Sequence, residues 1–388
     1  MSASIPSEST RTITGGKIFL EALQQVGVRY LFANVGSYET GLYDALVETP
    51  DIQLINGLHE GIVISMTEGY HRASGGLGVA NVHSIAGTTQ MAGQLYNAFV
   101  GHSALLVTAG FIENDLIHDD IVLAAPSGYQ QSEIIRPLTK NSWQVRSTAG
   151  VYGFSQRAIQ CALTPPEGPV YLAFPDAVMR GEVSVQELPG RGFTPRRFEF
   201  LAPERDISEA VQMIIKAKSL AILAGDDLYR YGAREEAVKL AEATGAACFS
   251  ARPCFANFPT DHPLFGGAYS QIPHIFNEAP DLLIFLGARS FSSLPTILFP
   301  PAPLYRRGLW IGSNAIDMAR CERIEMGIVA HPKSALQQLL FALQDAASAS
   351  WQQEIFEPRR SRIKEAIRSL RERVDPSAHS DHIPIHPA

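Results

Sequence analysis

The chain has 388 residues, 46% of them hydrophobic and 18% charged, a composition typical of a globular protein long enough for two domains. Its net charge of -7 and the lack of a basic, aromatic-interleaved stripe argue against a nucleic-acid partner, and no apolar run reaches the roughly 18 residues that span a bilayer. Four scattered cysteines without a CxxC pair and a polar N-terminus favour a cytoplasmic protein with reduced thiols.

The first part of the chain alternates helix and strand patterns. Apolar residues from Ile18 to Val26 follow helical spacing, and Thr14 is available as a cap. Short apolar runs predict strands at 30–33, 52–55, 79–82, 104–108 and 170–174, with helices at 42–47, 61–73 (closed by Gly75) and 90–99. Continuous apolar strands between helices predict a parallel sheet that is covered on both faces.

A connector rich in proline, glycine and arginine predicts a linker at 187–204, between a domain at 1–186 and a second alternating domain at 205–345. The second domain has predicted strands at 220–223, 246–249, 282–286 and 309–311 and a helix at 235–244. The predicted fold class is therefore α/β, with two doubly wound parallel-sheet domains. A C-terminal tail at 346–388 follows, helical but interrupted at Pro358 and then disordered or a docking segment after residue 374.

Polar clusters follow three predicted strands of the first domain. The carboxyl ends of parallel strands meet at one edge of a sheet, where ligands bind, so we expect these clusters to converge. The candidate residues in them are Gly36, Ser37, Glu60, His83, Gly87, Thr88 and Gln90.

Each candidate also has a purely structural interpretation. An acidic residue such as Glu60 at a helix start often serves as a solvated cap, and Ser37 beside Gly36 is typical of a turn. His83 could lie hydrogen-bonded in the core, and structural roles are favoured for His59 and His71. Gly87 could begin a helix, although glycine also lets a ligand approach the backbone closely.

The ordered segments 34–37, 58–60, 69–75, 82–88, 102–110, 167–172 and 258–263 resemble thiamine diphosphate-dependent enzymes of the benzoylformate decarboxylase and acetolactate synthase type. The resemblance covers roughly residues 14–345, which correspond to the pyrimidine-binding and middle domains. It implies that Glu60 hydrogen-bonds N1′ of the cofactor's aminopyrimidine and so promotes deprotonation of thiazolium C2.

The same resemblance implies that Ser37 and His83 hold the substrate carboxylate and relay protons. Gly36, Gly87, Thr88 and Gln90, together with Glu60, are then expected to line the cofactor site. No metal ligand is expected on this chain.

Two departures from the family pattern qualify the resemblance. The Gly-Asp-Gly followed by Asn that binds Mg²⁺ and diphosphate has no match, since Gly225-Asp226-Asp227 lacks the second glycine and predicts a turn. The loop 289–294 offers no histidine where the decarboxylases carry a catalytic one. A GxGxxG dinucleotide motif is also missing after the strands at 220–223 and 282–286, which favours a structural role for the middle domain.

These features predict that the chain is the larger subunit of a split thiamine diphosphate enzyme that decarboxylates a 2-keto acid. Aromatic 2-keto acids are among the expected substrates. A separate chain carrying Gly-Asp-Gly and Asn would bind Mg²⁺ and diphosphate, in a hetero-oligomer with a homodimeric core. A carboligase or acyloin lyase, a non-catalytic regulatory or scaffolding relative, and a truncated three-domain enzyme remain open alternatives.

Overall fold

A computed structural model describes residues 12–112, 123–126, 128–185, 199–251, 255–288, 304–321 and 323–373. The chain divides into two compact units, Met1–Arg197 and Phe198–Ala388. Each unit contains a six-stranded parallel sheet flanked by helices, which confirms the predicted α/β class. Among the described residues, no helix combines the length and the apolar character needed to cross a membrane.

The first unit is built on the strand order β3-β2-β4-β5-β7-β6, and a small antiparallel pair, β1 and β8, lies outside that sheet. Its strands are β1 (Thr12–Thr14), β2 (Tyr30–Ala33), β3 (Gln53–Asn56), β4 (Gly78–Val82), β5 (Leu105–Gly110), β6 (Asn141–Gln144), β7 (Val170–Phe174) and β8 (Glu182–Ser184). Its helices are α1 (Gly15–Gln25), α2 (Thr40–Val47), α3 (Glu60–Ser74), α4 (Ser84–Gln90), α5 (Ala92–Val100), α6 (Gln131–Ile134), α7 (Gly150–Leu163) and α8 (Asp176–Arg180).

The helix ends follow the capping signals in the sequence. The hydroxyl of Thr14 accepts a hydrogen bond from the Lys17 N–H at 3.3 Å and so starts α1, as predicted. Gly75, at a φ of 71°, ends α3 in the left-handed conformation that glycine adopts without a steric penalty.

The predicted helix at 90–99 is wrong in its start, because the structure has two helices there, α4 and α5. Gly87 and Thr88 lie inside α4, and Gln90 is its last residue. The two threonines of this segment would disfavour a helix by propensity alone. Their hydroxyls donate to carbonyls one turn back, from Thr88 to Ser84 at 2.7 Å and from Thr89 to Ile85 at 3.2 Å, and this bonding accommodates them.

The second unit has the strand order β11-β10-β9-β12-β13-β14, and all its neighbouring strands are parallel. Its strands are β9 (Leu220–Ala224), β10 (Ala247–Ser250), β11 (Phe265–Ala268), β12 (Leu282–Leu286), β13 (Arg307–Gly312) and β14 (Ile324–Val329). Its helices are α9 (Glu204–Lys216), α10 (Asp227–Arg230), α11 (Arg234–Thr244), α12 (Ile272–Ile275), α13 (Ala315–Ala319), α14 (Pro332–Ala346), α15 (Ala349–Trp351) and α16 (Glu357–Arg373).

The C-terminal helix α16 packs on the core of this second unit. Ile363 and Ile367 are 1% and 2% exposed and belong to the same apolar cluster as β9 and β12. The prediction of an interruption at Pro358 is wrong, because helical structure continues through Pro358, the second residue of α16. A π-helical stretch, Gln352–Phe356, precedes it. Residues 374–388, the predicted disordered or docking segment, lie outside the described residues.

Candidate active site

The direction in which successive strands are added to the first sheet reverses between β2 and β4. Strand β3 lies on the far side of β2 and β5 on the far side of β4, so the loops after β2 and β4 diverge at their carboxyl ends. Such a switch point is where open α/β sheets bind ligands. The segments containing Ser37 and His83 follow these two strands directly.

Glu60 is the first residue of α3 and is half-buried. His59 caps this helix, since its Nδ1 accepts the Gly61 N–H at 3.0 Å. No described residue forms a hydrogen bond with the Glu60 carboxylate. A Cβ atom at Gly87 would lie 3.3 Å from Oε1 of Glu60, so the absence of a side chain at Gly87 leaves space beside that oxygen.

His83 is fixed against the turn that contains Gly36 and Ser37. A Cβ atom at Gly36 would lie 1.9 Å from Nδ1 of His83, so the imidazole packs directly on the glycine backbone. The ring of Tyr38 stacks on His83 with centroids 5.2 Å apart and an interplanar angle of 26°. Ser37 is exposed and begins a single 3-10 turn, Ser37–Glu39. The structure therefore brings Gly36, Ser37 and His83 together.

Glu39 is a residue of this site that sequence reasoning missed. It is 3% exposed, and its Oε2 lies 2.8 Å from Nδ1 of His83. Its Oε1 accepts the N–H groups of Ser84 at 3.2 Å and Gly110 at 2.7 Å. Ser84 has a φ of 48°, in the left-handed region that non-glycine residues rarely adopt. The only sequence signal was an acidic residue close after a Gly-Ser turn, which is equally typical of a solvated helix cap.

Buried and half-buried polar residues of β4, β5 and α2 form a hydrogen-bond network next to this edge of the sheet. Asn81 of β4 accepts a hydrogen bond from the Tyr43 hydroxyl and donates to Thr108 at 2.9 Å. Burial raises the pKa of Tyr43, and the charge of Glu39 raises it further, so this phenol stays protonated and acts as a donor. The network holds the ends of β4 and β5 in register beneath His83.

Thr88 and Gln90 are placed differently from the other candidates. Thr88 is fully buried, and its hydroxyl bonds the Ser84 carbonyl and, at 2.7 Å, the hydroxyl of Tyr171. Burial raises the pKa of Tyr171 to about 12. Gln90 is exposed at the end of α4, whereas the side chain of Gln94 lies against Gly61, next to Glu60. Cofactor contacts of Thr88 and Gln90 stay predictions.

His59 and His71 have structural positions. His59 caps α3, and His71 is 6% exposed. Nδ1 of His71 lies 2.8 Å from the Gly76 carbonyl, and its Nε2 accepts the Ala104 N–H at 3.2 Å. His71 therefore joins the end of α3 to the start of β5, far from the loops that carry Ser37 and His83.

The corresponding switch point of the second unit, between β9 and β12, is filled by the protein itself. Asp227 is buried there, and its carboxylate accepts the N–H and the hydroxyl of Ser313 at 3.1 and 2.8 Å. A Cβ atom at Gly225 would lie 2.2 Å from the Gly287 carbonyl oxygen, so the two loops touch. Gly225 and Asp226 form the predicted turn, which leads directly into α10 at Asp227, with the Leu228 N–H donating to the Gly225 carbonyl at 3.2 Å. The loop 289–294 lies outside the described residues.

In the described part of the chain, no group of three or more His, Cys, Asp or Glu side chains is arranged to hold a metal ion. Three described cysteines, Cys161, Cys248 and Cys321, are free thiols. Burial raises the pKa of each of them, so they remain protonated. Cys254 lies outside the described residues.

Comparisons with known proteins identify relatives of both units. Residues 13–136 match the family model for the N-terminal TPP-binding domain of thiamine pyrophosphate enzymes, and residues 207–339 match the model for their central domain. Benzoylformate decarboxylase of Pseudomonas aeruginosa is 31% identical over 316 residues, which cover 79% of this chain and 57% of that protein. A probable acetolactate synthase large subunit of Methanocaldococcus jannaschii is 25% identical over 363 residues, which cover 88% and 59%.

Solved structures show the same fold. Benzoylformate decarboxylase from Polynucleobacter necessarius superposes with a TM-score of 0.74 at 23% identity, over 85% of this chain and 61% of that one. A Rhodococcus jostii thiamine diphosphate-dependent 4-hydroxybenzoylformate decarboxylase gives 0.74 at 24% identity, over 86% and 62%. The chain thus spans less than two thirds of the length of the relatives it matches.

Proposed function

Because the chain belongs to the thiamine pyrophosphate enzyme family, we propose that it is the larger subunit of a thiamine diphosphate-dependent enzyme that decarboxylates a 2-keto acid, aromatic ones included. The observation that carries this proposal is the position of Glu60. Its carboxylate lies at the ligand-binding edge of the first sheet, beside a glycine and without a hydrogen-bond partner among the described residues. A carboxylate so placed is ready to bind a ligand nitrogen.

The residues present fit the pyrimidine end of the cofactor. Gly87 keeps the space next to Oε1 of Glu60 open, so that a flat heteroaromatic ring can approach the carboxylate closely. Glu60 would hold a proton shared with a ring nitrogen and so favour proton removal elsewhere on that ring system. When bound, thiamine diphosphate supplies a thiazolium that takes up the electron pair released by the breaking carbon–carbon bond.

The substrate end of the site would be formed by Ser37 and His83. The exposed hydroxyl of Ser37 can donate a hydrogen bond to the carboxylate of a 2-keto acid. His83 is 21% exposed at its side chain, and its Nε2 has no partner among the described residues. Nε2 would move a proton to or from the substrate.

The diphosphate and Mg²⁺ would be held by a separate subunit that carries Gly-Asp-Gly followed by Asn, in a hetero-oligomer with a homodimeric core. Exposed apolar residues next to Glu60 support such a partner, since Leu58 is 89% and Ile62 53% exposed. Ile62 also lines a shallow groove of about 410 Å³, together with His59, Gly61, Ser65, Met66 and Gln94. A docked domain would cover this groove and enclose Glu60.

Calorimetry with two ligands tests the division of the site. If this chain holds only the pyrimidine end, then thiamine and thiamine diphosphate should bind it alone with similar, weak affinity and without dependence on Mg²⁺. Tight, Mg²⁺-dependent binding of thiamine diphosphate by this chain alone would contradict the split site.

Substitution of Glu60 tests its role in turnover. In the complex with the diphosphate-binding subunit, Glu60→Gln should lower the turnover of benzoylformate or pyruvate by about 10²- to 10⁴-fold, because an amide cannot exchange the proton. Glu48→Gln, an exposed substitution in the same unit, is the matched control and should leave turnover unchanged. Unchanged turnover in Glu60→Gln would remove its catalytic role and favour the regulatory alternative.

Carboligation is the second candidate reaction. It is favoured by the similarity to acetolactate synthase large subunits, such as that of Lactococcus lactis, which is 25% identical over 84% of this chain. Product analysis separates the two reactions. With pyruvate as substrate, a decarboxylase releases acetaldehyde, whereas a carboligase forms a product that joins two substrate molecules.

A further inference from the structure

Glu39 receives three hydrogen bonds that together determine the roles of its two oxygens. Its Oε1 accepts the backbone N–H groups of Ser84 and Gly110, and its Oε2 faces Nδ1 of His83 at 2.8 Å. The side chain is 3% exposed, so water does not compete for these contacts. Two fixed backbone donors orient the carboxylate, and a carboxylate oriented in this way acts as an acceptor toward the imidazole as well.

We propose that Glu39 is a positioning residue that fixes neutral His83 in the tautomer with its hydrogen on Nδ1, leaving the lone pair of Nε2 directed away from Glu39. This inference rests on the proposed function, in which Nε2 moves the proton. The ring is held in place, because Tyr38 stacks on one face and Nδ1 packs so closely on Gly36 that a Cβ atom added there would lie only 1.9 Å from it. Glu39 itself stays out of reach of substrate.

The Glu39→Gln variant tests this proposal because its amide has only one possible orientation. The amide oxygen must stay where Oε1 is, since an NH2 group there would face the N–H groups of Ser84 and Gly110. The amide nitrogen therefore points at Nδ1 of His83 and donates to it. Nδ1 must then accept, and neutral His83 carries its hydrogen on Nε2 instead. An isosteric change thus inverts the tautomer.

Nitrogen-15 NMR of histidine-labelled full-length protein, without cofactor, reads the tautomer directly. A His83→Gln variant assigns the His83 signals among the 11 histidines. We expect the wild type to show a protonated Nδ1 and an unprotonated Nε2, and Glu39→Gln to show the reverse. Glu68→Gln is the matched control, because Glu68 is also buried but bonds Arg72 and Ser103 instead, and it should leave the His83 signals unchanged.

Turnover in the complex gives the second measurement. With the wrong tautomer, kcat should fall by about 10²- to 10⁴-fold while KM changes little, as expected when an amide replaces the carboxylate that orients a proton-transferring histidine. A wild-type His83 with its hydrogen on Nε2, or a variant with an unchanged tautomer, would overturn the proposal. An inverted tautomer with unchanged kcat would overturn the catalytic importance of the positioning.

The two proposals can fail separately. The wild-type tautomer is measured without cofactor or partner, and the only variant that it needs is His83→Gln, which serves for assignment. A wild-type complex without thiamine diphosphate-dependent turnover would refute the proposed function and leave the NMR result standing. Full turnover with a wild-type His83 protonated on Nε2 would refute only the role of Glu39.

Discussion

The carboxyl group of Glu60 lies against the backbone of Gly87: a Cβ atom at Gly87 would be 3.3 Å from Oε1 of Glu60 and 2.9 Å from Cβ of Val82. Because Val82 belongs to a strand and cannot yield, a side chain at Gly87 would displace Glu60. We expect Gly87→Ala to weaken thiamine binding measured by calorimetry. It should also lower the free energy of unfolding by about 1–3 kcal/mol, the usual cost of overpacking.

Gly93→Ala is the control for this substitution. Gly93 lies near the start of α5, and a Cβ there would meet no atom within 4 Å. Alanine should raise the free energy of unfolding by about 0.4–1 kcal/mol and leave thiamine binding unchanged. Equal thiamine affinities of the two variants would contradict the role of Gly87 in keeping the space beside Glu60 open.

Gly36→Ala should affect His83 and not the fold of the turn. Gly36 has an extended backbone, with φ of -152° and ψ of 174°, which alanine adopts easily. Its Cβ would nevertheless lie 1.9 Å from Nδ1 of His83, so the ring must leave its bond to Glu39. We expect kcat of the complex to fall at least about 10²-fold.

Gly69→Ala serves as the comparison, because Gly69 is exposed in α3 and a Cβ there meets nothing within 4 Å. Its kcat should equal that of the wild type. If Gly36→Ala retained wild-type kcat while its His83 signals stayed at their wild-type positions in the NMR spectrum, the close packing of ring and glycine would be refuted.

The strands that are buried on both faces could be predicted from the sequence, with the observed bounds at 170–174 and 282–286 and to within two residues for β4, β5 and β9. Val170–Phe174 is fully buried and reads as an uninterrupted apolar run. Asn141–Gln144 is an edge strand of polar and half-buried residues, and β14 exposes alternate residues, so neither carries such a signal in full. A strand cannot be recognised from its own sequence where it forms through pairing with a neighbouring strand and is not itself buried on both faces.

The sequence predicted those residues of the candidate site that directly follow the carboxyl ends of predicted strands. Ser37 and His83 follow strands that end at the same edge, and the structure places their segments together. The buried position of Glu39 was not predictable, because its carboxylate accepts a hydrogen bond from the N–H of Gly110, which lies in a strand 71 positions away in the chain. Burial of a charged residue depends on such distant donors, which no local pattern reveals.

Asp176→Asn should change the pH dependence of stability. The carboxylate of Asp176 accepts the Gly41 N–H at 2.7 Å and the Nε–H of Arg180 at 2.6 Å, and it joins α8 to α2 behind the Ser37 turn. Burial alone would raise the pKa of this carboxyl, but the hydrogen bonds from Gly41, Arg180 and Thr40 outweigh burial and lower it. Folding therefore gains stability from the ionised form above the unfolded pKa of about 3.9.

This gain is lost as the pH falls from about 3.9 through the lowered pKa of the folded state. Asp176→Asn should lower the free energy of unfolding by about 1–2 kcal/mol at pH 7. The difference from wild type should persist at pH 5 and shrink only as the pH falls below about 3.9. Urea unfolding at pH 7, 5 and 3 measures it. Asp51→Asn, at an exposed site, is the control. A difference that is constant across the three pH values would refute the assignment to the Asp176 charge.

Arg359 of α16 donates hydrogen bonds to the ends of two other helices, to the Thr244 carbonyl of α11 at 2.8 Å and to the carbonyl of Ala217 just after α9. It is 2% exposed. Burial, with the nearby charge of Arg362, lowers the pKa of Arg359 to about 10, so the guanidinium remains protonated at pH 7. A buried cation at two helix C-termini is stabilised by the negative ends of both helix dipoles.

Arg359→Met keeps most of the apolar stem and removes the donors. It leaves the carbonyls of Ala217 and Thr244 without their charged partner, so we expect the free energy of unfolding to fall by about 3 kcal/mol, measured by urea denaturation. Arg368→Met, on the exposed side of the same helix, should cause no measurable change. Equal denaturation midpoints for the two variants would mean that α16 is held by Ile363 and Ile367 alone, and that the guanidinium bonds only offset the cost of burying its charge.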